Sequence, residues 1–562
     1  MAYLTNAPSR RSFLRGSSLL LGSLALTGPV WAAASKPLPR YNVASGEGRR
    51  MLQTFAAGLE MLVGKPDRQP PPFANAFVHT LDCPHMNEVF LNWHNVFLGH
   101  VEHDIRAVTG DDKFTIPYWD WTQSPTVPDE MFVGCLNPAD PVYDPWLADA
   151  ATFRKTAGPQ VDAFFKSLTP EQAAQLARRG FRSPKDFWKS VDDSGGFAPR
   201  RFARAIARDN PRLDPKTARM CSPEIVTAAL SRTTPETFSS GNGTLSILEG
   251  LCHNAIHAAV GGCGGEHPGF MAGGLAPIDP LFFLHHANID RLWDVWTRKQ
   301  QALGLSPSYL PDAPFLKDMD DGHLFFSGND GPQPAGRATR MVYDYEPGFG
   351  EDLVPGGKSS SHSSFSFGVG VGGSSSAGSS GGGAHPGGPV KGGGGHPSSR
   401  GGGGVGIGID VGSLFGSHDE TPAAQSAPRR TFEGQTTGAG VTVQFPKDAL
   451  SKFAKGDRGL MLAKLTLPAP MDARASDCFD VLVNAPAGTQ SVESASPHYG
   501  GTVSFFGAMP GMAMDATFSV PLGPVLAALD ESGKLGDALD IRLAARGAGQ
   551  GGGLRGARVE LW

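Results

Sequence analysis

Residues 248–257 read LEGLCHNAIH, and residues 279–293 read DPLFFLHHANIDRLW. Four of the chain's 16 histidines, His253, His257, His285 and His286, fall in these two apolar stretches. A buried imidazole costs free energy unless its ring nitrogens find partners. His253 and His257 are four residues apart and share one face of a helix. Two imidazoles on one face, with a third nearby, form a metal-binding arrangement. Neutral imidazole suits copper, zinc, iron and nickel. Both stretches carry helical periodicity, so the domain that holds them is expected to be helical.

Upstream, residues 77–106 read FVHTLDCPHMNEVFLNWHNVFLGHVEHDIR and add His79, His85, His94, His100 and His103. No HExxH motif occurs, which argues against a zinc peptidase. The sets are of histidine, unlike the carboxylate-rich sets of di-iron bundles. Two histidine sets of about three ligands each fit a pair of coppers best. Further helical patterns run through 48–64, 90–110, 246–262 and 280–300. Segments such as PYWDWTQSPTVPDE read as Pro- and aromatic-rich loops. No alternating strand pattern stands out before residue 350, so a mainly α, loop-rich catalytic domain is expected, a helical bundle holding the two metals.

With these residues in view, residues 37–350 resemble the type 3 copper proteins, the family of tyrosinases, catechol oxidases and hemocyanins. CPH at 83–85 followed by WH at 93–94 is similar to the family's first copper half-site. HNAIH at 253–257 followed by the 279–293 stretch is similar to the second and is the more specific signal. PYWDW at 117–121 and YDY at 343–345 match as well. The resemblance implies that His79, His85 and His94 bind one copper and that His253, His257 and His286 bind the other. His285 is then a neighbour, and His100 and His103 are helix-face residues. Cys83 would form a thioether with His85. Glu249 and Asn254 would hold a water that takes the proton of a phenol, whose ordinary pKa is ~10. Asp290 or Asp279 would orient a ligand ring or serve structure, and Arg40 would pair with the YDY segment. The sequence departs from the family at Asn95, where Arg is common. The implied reactions use dioxygen to hydroxylate monophenols and to oxidise o-diphenols to o-quinones. A catechol oxidase limited to diphenols and an o-aminophenol oxidase are the near alternatives. A hemocyanin-like oxygen carrier and a copper store are the non-enzymatic ones.

A length of 562 residues points to two folded units. The net charge of −5 gives no basic footprint for nucleic acid. Six cysteines do not make a disulfide scaffold. Cys252 and Cys263 flank the second histidine set and are candidates to pair, with connectivity open. At the N-terminus, Arg10 and Arg11 precede Phe13 and Leu14, an apolar run, and small residues around 32–34. Residues 1–34 therefore read as a twin-arginine export signal, giving a periplasmic or secreted protein. Its apolar run is too short and Gly-broken for a membrane span. No membrane partner is expected after its removal, and self-association is left open.

Residues 35–354 are then the dicopper domain and 355–430 a Gly/Ser-rich linker carrying His362, His385, His396 and His418. Residues 431–562 hold short alternating or apolar runs separated by turn residues, the pattern of an all-β sandwich. This region resembles the C-terminal domain of plant and some bacterial polyphenol oxidases, which implies a lid over the copper cleft. Phe505, Phe506 or Met509 is the expected plug. Met509, Met512 and Met514 are candidates to hand over Cu(I) as soft thioethers. GFMAGGLAP at 269–277 is expected to form the pocket entrance, kept open by Gly273 and Gly274.

Overall fold

A computed structural model of the chain describes residues 36–63, 71–305, 341–356 and 427–562, less short stretches such as 264–267, 469–476, 507–514 and 547–553. The expected export signal, nearly all of the expected linker with its four histidines, and Met509, Met512 and Met514 lie outside the described residues.

Strand β1 (Leu38–Arg40) leads into helices α1 (Gly46–Val63), α2 (Pro71–Asp82) and α3 (Phe90–Thr109). Helix α3 ends where Gly110 turns left-handed (φ 72°) and returns its N–H to the Arg106 carbonyl. Glycine adopts that conformation without a Cβ penalty. Helix α1 approaches α3 closely at Gly58, which lies against Ile105 and Thr109. Helices α4 (Ala150–Ser167), α5 (Pro170–Arg178) and α6 (Pro184–Asp193) surround a satellite core that includes Phe153, Leu176 and Phe187. Then come α7 (Pro215–Met220), β2 (Ser240–Gly241), β3 (Thr244–Leu245), a π-helix (Ile247–His253), α8 (Asn254–Gly261), α9 (Leu281–Ala302) and β4 (Tyr343–Tyr345). Helix α9 is buried on nearly all sides, as befits a central helix with no solvent face.

The two ends of this helical part close on one another. β1 pairs in parallel with β4, Arg40 opposite Tyr345. The Arg40 guanidinium is fully buried between Glu102 Oε1 and Asp290 Oδ2, each 2.6 Å away, and lies 3.6 Å over the Tyr343 ring. The Tyr345 hydroxyl donates to Asp290 and the Tyr343 hydroxyl to Glu102. Asn95, where the family often has Arg, donates to Asp290 Oδ1 (2.9 Å) and receives the Met341 N–H (2.7 Å). A buried charge survives only when paired and hydrogen-bonded in this way.

The C-terminal part holds β5 (Arg430–Thr437), β6 (Gly440–Gln444), β7 (Met461–Leu467), β8 (Cys478–Val483), β9 (Tyr499–Ser504), β10 (Ala516–Pro521), β11 (Ala538–Arg546) and β12 (Gly556–Leu561). It is not purely β as expected, since helices form at Ala449–Lys455 and Gly523–Glu531. The strands run β2-β3-β10-β7-β12-β5-β6-β11-β8-β9 in one ladder. β5 pairs with β12 through Arg430–Glu433 and with β6 through Gly434–Thr437. At that corner a Cβ on Gly434 would run into Val441 and the Ala557 carbonyl. The ladder also reaches into the helical part: β10 pairs in parallel with β3, Phe518 opposite Leu245. Two-residue strands are too short to show a period of two in sequence, which is why β2 and β3 were not expected.

The β part is seated on the helical part along a polar seam. Lys216 Nζ on α7 meets Asp480 Oδ2 at 2.7 Å. Arg219 donates to the Ser494 carbonyl (3.1 Å), and Arg546 approaches Asp214 (3.6 Å). Arg232 lies 3.9 Å over the ring of Trp562. Cys263, just beyond α8, is disulfide-bonded to Cys478 of β8, with a Cα–Cα distance of 5.8 Å. This replaces the Cys252–Cys263 pairing considered from sequence; Cys252 is a buried thiol.

Candidate metal centre

The two histidine sets meet where α2, α3, the π-helix, α8 and α9 converge. His79 comes from α2, His94 from α3, and His85 from the turn between them. His253 ends the π-helix, His257 lies on α8, and His285 and His286 lie near the start of α9. A π-helix is rare and concentrates at functional sites. Here all seven of its residues are buried. Its Gly250 sits against the Leu245 carbonyl, which a Cβ would approach to 2.7 Å.

The donor atoms form two clusters, His79, Cys83, His85 and His94 in one and His253, His257, His285 and His286 in the other, each within 4.8 Å. Four rings are held by Nδ1. His79 Nδ1 bonds the Gly274 carbonyl (2.8 Å), His94 Nδ1 the Phe90 carbonyl (2.8 Å), and His257 Nδ1 the Met271 carbonyl (2.7 Å). His253 Nδ1 bonds Asn254 Oδ1 (2.8 Å). Nδ1 is then the protonated nitrogen and Nε2 is left with its lone pair facing the cluster, as metal-binding histidines are fixed by an outer hydrogen bond. Nε2 of His79 and of His253 is buried with no hydrogen-bond partner. His257 Nε2 and His286 Nε2 stand 3.3 Å apart, and the His94 and His286 rings stack at 4.1 Å between the two clusters. Two lone pairs that close are unfavourable without a cation or proton between them.

Burial drives these rings toward the neutral form that metals require. Desolvation lowers His79 from 6.5 to about 4 and His253 to about 3, and holds His85, His94, His257, His285 and His286 well below the ordinary value. Cys83 Sγ is 3.4 Å from His94 Nε2 and 3.7 Å from His85 Nε2. Burial raises its thiol well above the usual range.

Glu249 is fully buried. Its Oε1 accepts the Met86 N–H (2.9 Å) and its Oε2 has no hydrogen-bond partner. Burial raises its carboxyl from 4.5 to about 8, against a smaller opposing pull from Ser240 and Met86. Asn254 Nδ2 donates to the carbonyls of Ser504 (3.2 Å) and Phe506 (3.4 Å) in the β part. The three plug candidates separate. Phe506 stacks on His257 with ring centres 3.7 Å apart and planes at 18°, and lies 5.3 Å from His85 and 5.5 Å from His253. Phe505 turns instead into the β core against Phe479 and Phe518. Met509 is outside the described residues.

One expectation needs correction. Residues 269–277 are not an open entrance: Met271 and Ala272 are buried, and the strip supplies the carbonyls of Met271 and Gly274 to His257 and His79. Its glycines let backbone approach side chains, and Gly274 lies against Thr80. Of the two roles expected for Asp279 and Asp290, ring orientation or structure, the contacts are structural. Asp279 binds Arg204 and the Leu281 N–H, and Asp290 binds Arg40, Asn95 and Tyr345. Sequence gave no sign of the carbonyl partners, because every residue carries a carbonyl. The proximity of Phe90 and His94 on one helix was the only readable part.

Residues 56–299 match the common central domain of tyrosinase. Over this stretch, less than half of its length, the chain is similar to the tyrosinase family. Among curated tyrosinases, that of Oryzias latipes is 28% identical over 231 residues, 39% of this chain and 38% of that protein. That of Bos taurus is 27% identical over 292 residues, 49% of this chain and 50% of that protein. That of Streptomyces lincolnensis is 27% identical over 246 residues, 42% of this chain and 72% of that protein. The chain thus spans half or less of the vertebrate tyrosinases it matches. A solved latent aurone synthase (polyphenol oxidase) aligns at 15% identity over 97% of this chain and 92% of its own, with a TM-score of 0.48. The tyrosinase family implies a dicopper site. The donors present fit one: seven imidazoles that burial keeps neutral, beside the Cys83 thiol, with the buried Nε2 atoms of His79 and His253 lacking partners.

Proposed function

We propose that the protein is a copper-dependent phenol oxidase that uses dioxygen to hydroxylate monophenols and to oxidise o-diphenols to o-quinones, and that it is latent while the β part is seated. The observation that carries this reading is the pair of buried histidine clusters whose Nε2 atoms converge while Nδ1 atoms are tied back. His79, His85 and His94 would hold one copper and His253, His257 and His286 the other. Bound copper supplies dioxygen activation and the electron transfer. His285 stays outside the ligand set in this reading, and Cys83 is assigned to a thioether with His85.

The chain's own residues do the rest. An aromatic ring is favoured on the face of His257, where the Phe506 ring now lies in its place. Glu249 Oε2 is the unpartnered atom able to receive the phenolic proton through a water. Burial places its carboxyl near pH 8, where base and acid forms interconvert. Asn254 keeps His253 in the Nδ1–H form through its Oδ1, and steadies the water once its Nδ2 is free of the β part. We divide the chain into a twin-arginine signal (1–34), the catalytic domain (35–354), a linker (355–430) and a β-sandwich lid (431–562). Phenols and dioxygen are its small-molecule partners, and export places it in the periplasm or outside the cell.

Phe506 over His257 also favours a second reading, a hemocyanin-like oxygen carrier with a permanently covered site. Oxygen uptake by the copper-loaded protein decides between them, measured with a monophenol and with an o-diphenol, before and after release of the β part. Turnover of both after release supports the proposal. Turnover of the diphenol alone makes it a catechol oxidase. Reversible oxygenation with no turnover in either form makes it a carrier.

A further inference from the structure

The corner at Met86 lies between two candidate ligands, His85 and the helix that carries His94. Met86 has φ 58°, one of three non-glycine residues with positive φ in the described chain. A long side chain adopts that region only when its surroundings hold it there. The surroundings in this case belong to the other histidine set. The Met86 N–H donates to Glu249 Oε1 on the π-helix (2.9 Å). The Met86 carbonyl accepts the Gly243 N–H (3.2 Å), just before β3. The next carbonyl, Asn87, accepts the Ser240 hydroxyl (3.0 Å) of β2. Three backbone groups of the corner are thus stitched to the segment that leads into His253.

We infer that Glu249 is a positioning residue: it locks the left-handed corner after His85 onto the second histidine set and so fixes how the two sets face each other. The inference rests on the reading of the sets as a paired metal site, and it assigns Glu249 a task separate from proton transfer. That task needs only an oxygen acceptor at Oε1, not a carboxylate. Glutamine keeps the acceptor and alanine removes it. Glycine at position 86 adopts positive φ without help, so it removes the need for the lock.

The test uses the full chain in four forms: wild type, Glu249→Gln, Glu249→Ala, and Glu249→Ala combined with Met86→Gly. Each is loaded with copper and read by copper content and by electron paramagnetic resonance, in which two coupled Cu(II) ions are silent and separated ones are visible. Hydrogen exchange of the residue 86 amide is read on the metal-free forms. Glu249→Gln is expected to keep two coppers and a silent pair. Glu249→Ala is expected to show several-fold more visible copper and at least tenfold faster exchange at Met86. Adding Met86→Gly is expected to return the signal toward silence.

The inference is overturned if Glu249→Ala keeps both the silent pair and slow exchange. It is equally overturned if Gln and Ala fail alike and Met86→Gly recovers nothing. Should Glu249→Ala not fold, the Gln form and Ser240→Ala, which strips the Asn87 carbonyl, carry the comparison through Met86 exchange. Fewer than two coppers in the wild type would defeat the paired-site reading alone, because exchange in the metal-free protein still reports on the lock.

Discussion

Replacing Lys216 by Met keeps the aliphatic stem and removes the charge that meets Asp480 across the seam. The Asp480 side chain is 1% exposed and Lys216 is 16% exposed. Asp480 would be left with the Thr502 hydroxyl at 2.8 Å. Removing one member of a buried pair costs about 3–5 kcal/mol. Lys216 retains some solvent, so the lower end applies, and about 3 kcal/mol shifts an equilibrium about a hundredfold. If the β part opens and closes over the metal centre, the open fraction should rise by up to that factor until opening is no longer rare. The Cys263–Cys478 bond keeps the two parts joined, so the variant changes opening without releasing anything. The assay is the initial rate of o-diphenol oxidation by the intact copper-loaded chain, with thermal unfolding measured alongside. The expected result is a rate raised by one to two orders of magnitude. An unchanged rate with a lowered melting temperature would refute the reasoning, since the seam would be weaker without access being altered.

Three further outcomes are expected. Phe506→Ala should raise diphenol turnover in the intact chain more than monophenol turnover, because the Ser504 and residue 506 carbonyls still hold Asn254; equal gains in both rates would contradict this. In the metal-free protein, His79 and His253 have folded pKa values below 6.5, so the unfolded chain binds more protons and stability must fall as pH drops from 6.5 toward 4. His79 alone accounts for about 3 kcal/mol of this by pH 4. Glu249, raised to about 8, acts in the opposite sense, so some stability is lost as pH rises from 4.5 toward 8. Urea titrations across this range check both limbs, and a flat acid limb would contradict the burial of the rings. Finally, a protease site inserted within residues 357–426 and cut should leave two fragments that run together without reductant and separate with it, because the disulfide spans the cut. Fragments that part without reductant would show that the bond does not form.

The histidine sets were legible because spacing of four on a helix and the CPH and WH pairs are local features. Glu249 was legible for the same reason, one turn before His253. What holds these groups was not. The ring partners are carbonyls of Gly274, Met271 and Phe90, and the first two come from a strip whose glycines read as openness. They instead permit close approach of backbone. The left-handed Met86 corner has no mark in sequence, since its cause lies 163 residues away at Glu249. The β strands after residue 430 showed as short alternating or apolar runs, whereas β2 and β3 are too short to show either. Cys263 and Cys478 are 215 residues apart, and only the seating of the β part brings them together.

The central claim is that two sets of three histidines hold a pair of copper ions with His285 as a bystander. The most direct measurement is the copper content per chain of the loaded protein, wild type and His285→Ala. The account predicts two coppers in both. Fewer than two in the wild type, more than two, or the loss of one in His285→Ala would contradict it.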